Sequence, residues 1–220
     1  MVYVDTAANK DGFAAQLASM FEDRRRVFVD LFKWNLAVTD DGLEIDQFDD
    51  EHAVYLLLPE SDGRHLGSLR LLRTDRPHIL GSLFADLYEH GVPAGSDVRE
   101  ITRLCLSPRL PAAQRLRVRN ALISAMVDHA LAQGIRTLTG VVKARFLYQV
   151  AAMGWRYERL GPLRLVDGAT IGAFRIDIDQ ATPELLAAAG IYTPQAIAAT
   201  DMSGAMRRSP WARTIKPQQL

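Results

Sequence analysis

At 220 residues, with 48% apolar and 24% charged side chains, the chain is long enough for one sizeable core and ordinary in composition for a globular protein. Its 26 basic and 26 acidic residues cancel, which removes the bulk electrostatic argument for a nucleic-acid partner. A single cysteine excludes an internal disulfide, and no apolar run reaches the length of a membrane span. The opening MVYVDTAANKDGF has neither a basic leader nor an apolar core, so the expectation is a cytoplasmic chain without a secretory signal.

In chain order, the spacing predicts a helix over 12–33, with Phe13, Leu17, Met20, Phe21, Val27, Phe28 and Leu31 on one face and Asp11 as N-cap. The acidic stretch 35–51, with Asp41-Gly42, reads as a loop. His52–Leu58 and His65–Leu72 are β-type runs around the turn PESDGR, and 74–96 holds one short helical segment among prolines and glycines. Val98–Leu106 alternates as a strand. Ala112–Gln133 is the clearest helix, with Leu116, Ala121, Leu122, Ala125, Met126 and Leu131 inward and Gly134 at its end. Thr137–Val142 reads as a buried strand and Arg145–Met153 as a helix stopped by Gly154. Strands near 155–160 and 171–178 follow, then a helix over 183–189 started by Thr182-Pro183. Residues 1–202 are expected to form a single domain and 203–220 a basic, loose tail.

Antiparallel strands followed by strand–helix–strand–helix–strand imply an α/β fold. The order is similar to that of GNAT acyltransferases, which implies a three-layer α-β-α sandwich around a mixed, largely antiparallel sheet. Fold likeness alone assigns no function.

Charged and aromatic residues concentrate between Arg24 and Arg103. Arg24, Phe28 and Trp34 lie in RRRVFVDLFKW. Glu44, Asp46 and Asp49 lie in DGLEIDQFD, Arg70 in GSLRLLRTD, and Glu100 and Arg103 in REITRL. Taken singly, each has an ordinary explanation: a Trp ending an amphipathic helix is usually a core anchor, and an Arg–Glu pair on a strand is commonly a surface ion pair of little energetic value. Their joint occurrence points instead to a polar pocket for a charged small molecule.

The same positions resemble the acyl-homoserine-lactone synthases, which make diffusible quorum-sensing signals. The resemblance is most specific over 24–104 and continues more weakly through Gly161. It implies transfer of an acyl group from a phosphopantetheine thioester to the amine of S-adenosylmethionine, followed by lactone closure that releases methylthioadenosine. It implies Glu100, Asp46, Arg70 and Arg103 as the catalytic set, and Arg24, Phe28, Trp34, Asp46, Asp49 and Arg103 as the S-adenosylmethionine site.

The chemistry suits those residue types. Only the free amine attacks a thioester, so a carboxylate such as Glu100 can serve as general base. Asp46 and Asp49 complement a sulfonium, and Phe28 and Trp34 can stack on adenine or face the cation. Arg24 or Arg103 can fork onto the substrate carboxylate. Arg70 is read as a scaffold for the acidic loop.

The acyl chain is expected against Met126, Gly140, Val142, Phe146 and Leu147. Gly140 stands where synthases of 3-oxo products often carry threonine, which implies an acyl chain without a 3-oxo group. The segment SPRLPAAQRLRVRNA lacks the glycine-containing pyrophosphate loop of coenzyme A acetyltransferases. That argues against an ordinary coenzyme A acetyltransferase; the resemblance implies acyl carrier protein as donor, with acyl-coenzyme A as the alternative, and Arg109, Arg115, Arg117 and Arg119 are candidate docking residues. Leu31, Arg73, Arg99 and Leu104 depart from the family pattern at flanking positions.

Two other readings keep the pocket: an N-acyl amino acid synthase with a different acceptor, and a catalytically silent binding domain. Cys105 has no His or Asn partner nearby in sequence, and His52, His65, His78, His90 and His129 lack metal-ligand spacing. No metal, permanently bound cofactor, nucleic-acid partner or membrane is expected; S-adenosylmethionine enters as substrate.

Overall fold

The computed structural model describes residues 1–5, 14–88, 91–194 and 197–199. The predicted N-cap Asp11 and the tail from 203 lie outside them. The chain divides into two compact units. The first takes Met1–Arg70, Arg103–Leu122 and Gln195–Leu220; the second takes Leu71–Thr102 and Ile123–Pro194. Strands β3 (His65–Arg73) and β4 (Val98–Leu106) and helix α3 (Ala112–Ala132) each run from one unit into the other.

In the first unit, α1 (Ala14–Arg24) passes directly into a π-helical segment, Arg25–Leu31. The predicted helix is present, but its last turns are wider than α-helical. The segment ends with Lys33 at φ 57°, where the Trp34 N–H returns to the Phe28 carbonyl at 2.9 Å. That closure resembles a Schellman stop widened by one residue because it ends a π-helical turn, and it is made here without glycine. Strand β1 (Val2–Asp5), absent from the sequence reading, pairs antiparallel with β2 (Val54–Pro59) and parallel with β9 (Ile197–Ala199). β2 turns into β3 through Glu60–Arg64, closed by the Glu60 N–H to the Arg64 carbonyl at 2.7 Å. At Gly67 an added Cβ would stand 2.5 Å from Val118 Cγ1, so glycine lets α3 lie close on β3.

In the second unit, β8 (Ala169–Asp177) pairs antiparallel with β5 (Thr137–Lys143), β6 (Arg156–Arg159) and β7 (Arg164–Val166). β5 pairs parallel with β4 over Val98, Arg99 and Glu100. The arrangement is the expected α/β one, with a mixed, largely antiparallel sheet. Helix α2 (Ile79–Leu83), a short 3-10 turn at Ala85–Leu87, α4 (Ala144–Ala151) and α5 (Thr182–Ala188) complete the unit. Leu80, Leu87, Ile171 and Ala173 form one apolar cluster, with Tyr88, Val141 and Leu160 packed on it.

The inward face of α3 differs from the one expected. Leu116 is 52% exposed, whereas Val118, Leu122, Ile123, Ala125, Met126, Val127 and Ala130 are buried. The arginine-rich first turns carry a different stripe from the apolar second half, and fitting one stripe to both misplaced Leu116.

Burial along β4 alternates through Val98, Glu100 and Thr102, then shifts parity to Cys105 and Ser107. Arg103, at φ 50°, absorbs the extra residue. A non-glycine at positive φ inside a strand marks a bulge that re-aims side chains and costs on the order of 1–3 kcal/mol.

Candidate functional site

Six charged residues of the first unit, Arg24, Glu44, Asp46, Asp49, Arg70 and Arg103, form one buried network. Leu43, Ile45 and Phe48 anchor the acidic loop in the core, and Glu44 and Asp46, alternating with them, turn to the other side. Asp46 Oδ1 accepts the Phe48 N–H at 2.9 Å and Asp49 Oδ2 accepts the Asp46 N–H at 2.8 Å, so the D-x-x-D spacing folds its own turn. Arg24, at the end of α1, donates Nε to Glu44 Oε2 at 2.5 Å and both Nη groups to Asp49 at 2.8 and 2.9 Å. Arg70, from β3, forks onto Asp46 at 2.7 and 3.0 Å and reaches Asp49 Oδ1 at 2.5 Å. Arg103 donates to Glu44 at 3.0 Å and to Asp46 Oδ2 at 2.8 Å.

Three guanidinium groups and three carboxylates thus balance out of water. Burial alone would push Asp49 toward its neutral form, yet Arg24 and Arg70 hold it well below the usual carboxylate range. Glu44 is lowered in the same way: burial opposes its charge, and Arg24 and Arg103 outweigh it. Tyr55 donates to Asp49 Oδ1 at 2.6 Å, and its phenol is raised, first by burial and then by that carboxylate.

Glu44, to which sequence reasoning gave no role, is therefore a hub of the network. Its signal was the alternation Leu43-Glu44-Ile45-Asp46, apolar residues interleaved with acids that share a face.

Phe28 and Trp34 stack on each other, with centroids 4.9 Å apart and planes 14° from parallel. The Lys33 turn causes this by folding Trp34 back over the π-helical segment. The guanidinium of Arg103 lies 5.6 Å from the Phe28 centroid. Cys105 packs with Val27 and Phe28, and burial drives its thiol pKa far up, so it is a core residue rather than a nucleophile.

A second polar network in this unit was not foreseen. His65 Nδ1 meets Asp23 Oδ2 at 3.0 Å, and Nε2 meets Ser68 Oγ at 2.9 Å, with all three residues buried. Arg109 forks onto Asp23 at 2.8 and 3.1 Å and also reaches the His65 carbonyl. Arg115 donates to the Ser107 carbonyl and Arg119 to Asn120, while Arg117 is exposed.

In the second unit Glu100 is buried and its Oε1 accepts the Leu80 N–H at 3.0 Å. It pairs in register with Thr139 on β5, so the two side chains share a sheet face. Thr139 donates its one hydroxyl proton to the Phe174 carbonyl at 2.8 Å. The 2.8 Å contact from Tyr88 to Thr139 Oγ1 therefore has Tyr88 as donor. The Tyr88 phenol is raised, chiefly by burial and further by the Glu100 charge, with the Thr139 bond opposing. Tyr88 also lines a cavity of about 360 Å³ with Glu158, Arg159, Leu160 and Pro162.

The residues expected along the acyl chain divide from Glu100 by face. Gly140 and Val142 alternate with Thr139 and Val141 and stand on the opposite side of β5, the side on which Leu147 of α4 packs over Gly172. Met126 and Leu147 are buried, and Phe146 is half-buried beside Arg145.

The departures from the family pattern fall at the margins. Leu31 and Leu104 are exposed, Arg73 forks onto Asp75, and Arg99 donates to the Ser96 and Val98 carbonyls. Among the described residues no group of His, Cys, Asp and Glu is arranged to hold a metal ion, and no helix is long and apolar enough to cross a membrane.

Known proteins share both the sequence and the fold. An acyl-homoserine-lactone synthase of Ralstonia solanacearum is 33% identical over 170 residues, covering 75% of this chain and 83% of its own. An isovaleryl-homoserine lactone synthase of Bradyrhizobium diazoefficiens is 29% identical, covering 84% of each chain. The structure of BjaI, described as a coenzyme A-dependent acyl-homoserine lactone synthase with SAM and isopentyl-CoA, superposes at a TM-score of 0.81 with 27% identity, over 91% of this chain and 93% of its own. A putative N-acetyltransferase of Lactobacillus plantarum, at 15% identity and a TM-score of 0.53, shares the fold alone. The model of the autoinducer synthase family matches residues 10–186, a span that contains both arms of the ionic network and Glu100, and the chain belongs to that family.

Proposed function

We propose that the chain is an acyl-homoserine-lactone synthase acting on S-adenosylmethionine and an acyl thioester. The observation that carries this reading is the family match across 10–186, a span within which every charged residue of the buried network lies.

Glu100 is assigned as general base, directly or through one water. It takes a proton from the substrate ammonium, the amine attacks the thioester carbonyl, the new C–N bond forms, and the C–S bond breaks to release the thiol. The methionine carboxylate then attacks the carbon bearing the sulfonium. That C–S bond breaks, methylthioadenosine leaves neutral, and the negative and positive charges vanish together into the lactone.

Arg24, Arg70, Asp46, Asp49 and Glu44 are assigned the frame of the S-adenosylmethionine site, because their donors and acceptors already engage one another. Arg103 reaches Glu44 and Asp46 through Nε and Nη2, and its Nη1 is the group we assign to the substrate carboxylate. The stacked Phe28–Trp34 pair supplies the aromatic wall.

The donor is a phosphopantetheine thioester. Coenzyme A is favoured over carrier protein by one structural observation: Arg109 and Arg115, two of the four arginines expected to dock a carrier, are tied to partners within this chain. The descriptions of BjaI and MesI as coenzyme A-dependent enzymes point the same way.

The test is release of methylthioadenosine from S-adenosylmethionine with matched acyl-coenzyme A and acyl-carrier-protein donors. Lactone product with release supports the synthase. Acylation without release would indicate the N-acyl amino acid synthase, and neither would indicate a binding domain. Glu100→Gln should lower kcat at least a hundredfold while S-adenosylmethionine still binds; full activity in that variant would remove the base assignment.

A further inference from the structure

Glu100 and Thr139 are register partners on adjacent parallel strands, so their side chains rise from one sheet face about 5 Å apart. The half-buried Tyr88 reaches that face from the chain beyond α2, and its hydroxyl meets Thr139 Oγ1 at 2.8 Å. Its ring packs on the cluster that contains Leu80, and the Leu80 N–H is the donor to Glu100 Oε1 at 3.0 Å. Two independent routes, one through the sheet and one through α2, therefore bring the phenol and the carboxylate to the same place.

The direction of the hydroxyl chain decides what the phenol can offer. A carbonyl oxygen only accepts, so the Thr139 proton goes to Phe174 at 2.8 Å. Thr139 can then only accept from Tyr88, and the one phenolic proton points at the sheet. The Tyr88 oxygen keeps its lone pairs, and among the described residues nothing donates to them. Burial, and beyond it the Glu100 charge, raise the phenol's pKa, so that proton stays on Tyr88. A carboxylate and a phenol with its proton turned away make a corner built of acceptors.

We propose that Tyr88 is a further substrate-binding residue, its oxygen accepting one N–H of the α-ammonium of S-adenosylmethionine while Glu100 takes another. This rests on the synthase reading above and on Glu100 as its base. An ammonium presents three donors and no acceptor, which suits such a corner, whereas a carbonyl or carboxylate would be repelled there. After Glu100 has removed one proton, an N–H on Tyr88 still holds the neutral amine in place for attack on the thioester.

A half-buried tyrosine whose hydroxyl bonds a strand threonine is also an ordinary packing arrangement. In that role Tyr88→Phe would lower stability and weaken every adenosyl ligand alike. The experiment is a two-by-two comparison by calorimetry. Wild type and Tyr88→Phe, which keeps the ring, are each titrated with S-adenosylmethionine and with its deaminated analogue, the adenosyl sulfonium of 4-(methylthio)butanoate. The variant should bind S-adenosylmethionine at least about tenfold more weakly, as the loss of a bond from a charged donor implies, and the analogue within about twofold of wild type.

Losses within about threefold of each other, or a greater loss with the analogue, would overturn the proposal. Should Tyr88→Phe not fold, Tyr88→Met gives the same comparison. If wild type binds S-adenosylmethionine but releases no methylthioadenosine with any donor, the synthase reading fails by itself, and the two-ligand comparison still decides on Tyr88 because it needs binding alone. Wild type that does not bind S-adenosylmethionine would overturn both.

Discussion

Asp49 draws five donors onto two oxygens: two from Arg24, one from Arg70, the Tyr55 hydroxyl and the Asp46 N–H. Removing its charge leaves Arg24 and Arg70 buried with one negative partner too few, and stranding a buried charge costs about 3–5 kcal/mol. Asp49→Asn should therefore lose that much stability in urea unfolding, although its shape is kept; a loss below about 1 kcal/mol would mean the network relaxes freely. His65 gives a pH signature. Burial lowers its pKa against the pull of Asp23, so the native ring is neutral, with Nδ1–H facing Asp23 and the Ser68 hydroxyl facing Nε2. The unfolded ring takes up a proton as pH falls through about 6.5 while the native one resists, so the unfolded state binds more protons and stability is lost as the pH is lowered. His129 is lowered in the same direction by burial and Arg99. The Tm of wild type should drop between pH 7.5 and 5.5, and His65→Gln should show a smaller drop. At this scale the charged positions were legible because acids and arginines rarely concentrate without purpose. Their partners were not legible: Arg24 read as a hand for a substrate carboxylate, and the fold engages it with Glu44 and Asp49, while Arg103 meets Glu44 and Asp46 through Nε and Nη2.

The stop after the π-helical segment shows how an element's end is written weakly in sequence. Lys33 takes the left-handed conformation that glycine adopts at no cost, and an L side chain there loses roughly 1–2 kcal/mol. Lys33→Gly should raise stability by about 0.5–1 kcal/mol in thermal or urea unfolding, and no gain would mean the lysine side chain stabilises the turn. The same non-glycine stop explains why the sequence shows no wide turn over Arg25–Leu31: periodicity at three and four residues is nearly the same for α and π geometry over so short a run. Longer elements were legible. β4 matches Val98–Leu106 at both ends, and α3 ends one residue short of its expected bound. The strands missed are β1, β7 and β9, each of three or four residues, too short for alternation to stand out. The bulge in β4 was also invisible, since Arg103 carries no glycine to announce its φ.

For the whole molecule, we propose that the two units unfold together as one domain, because the backbone of β3, β4 and α3 crosses from one to the other and neither unit is a continuous piece of chain. Tryptophan fluorescence and far-ultraviolet circular dichroism should then report one coincident urea transition, and two separated midpoints would refute the proposal. A different consequence follows from the balance inside the first unit. Three guanidinium groups and three carboxylates locked together project little field beyond their own walls. An approaching sulfonium is neither drawn in nor turned back across a Debye length, about 8 Å at physiological salt. Capture of S-adenosylmethionine should depend on close contact rather than on long-range steering. Its kcat/KM should accordingly change less than about twofold as ionic strength rises from roughly 25 to 300 mM, whereas an electrostatically guided encounter would slow steeply.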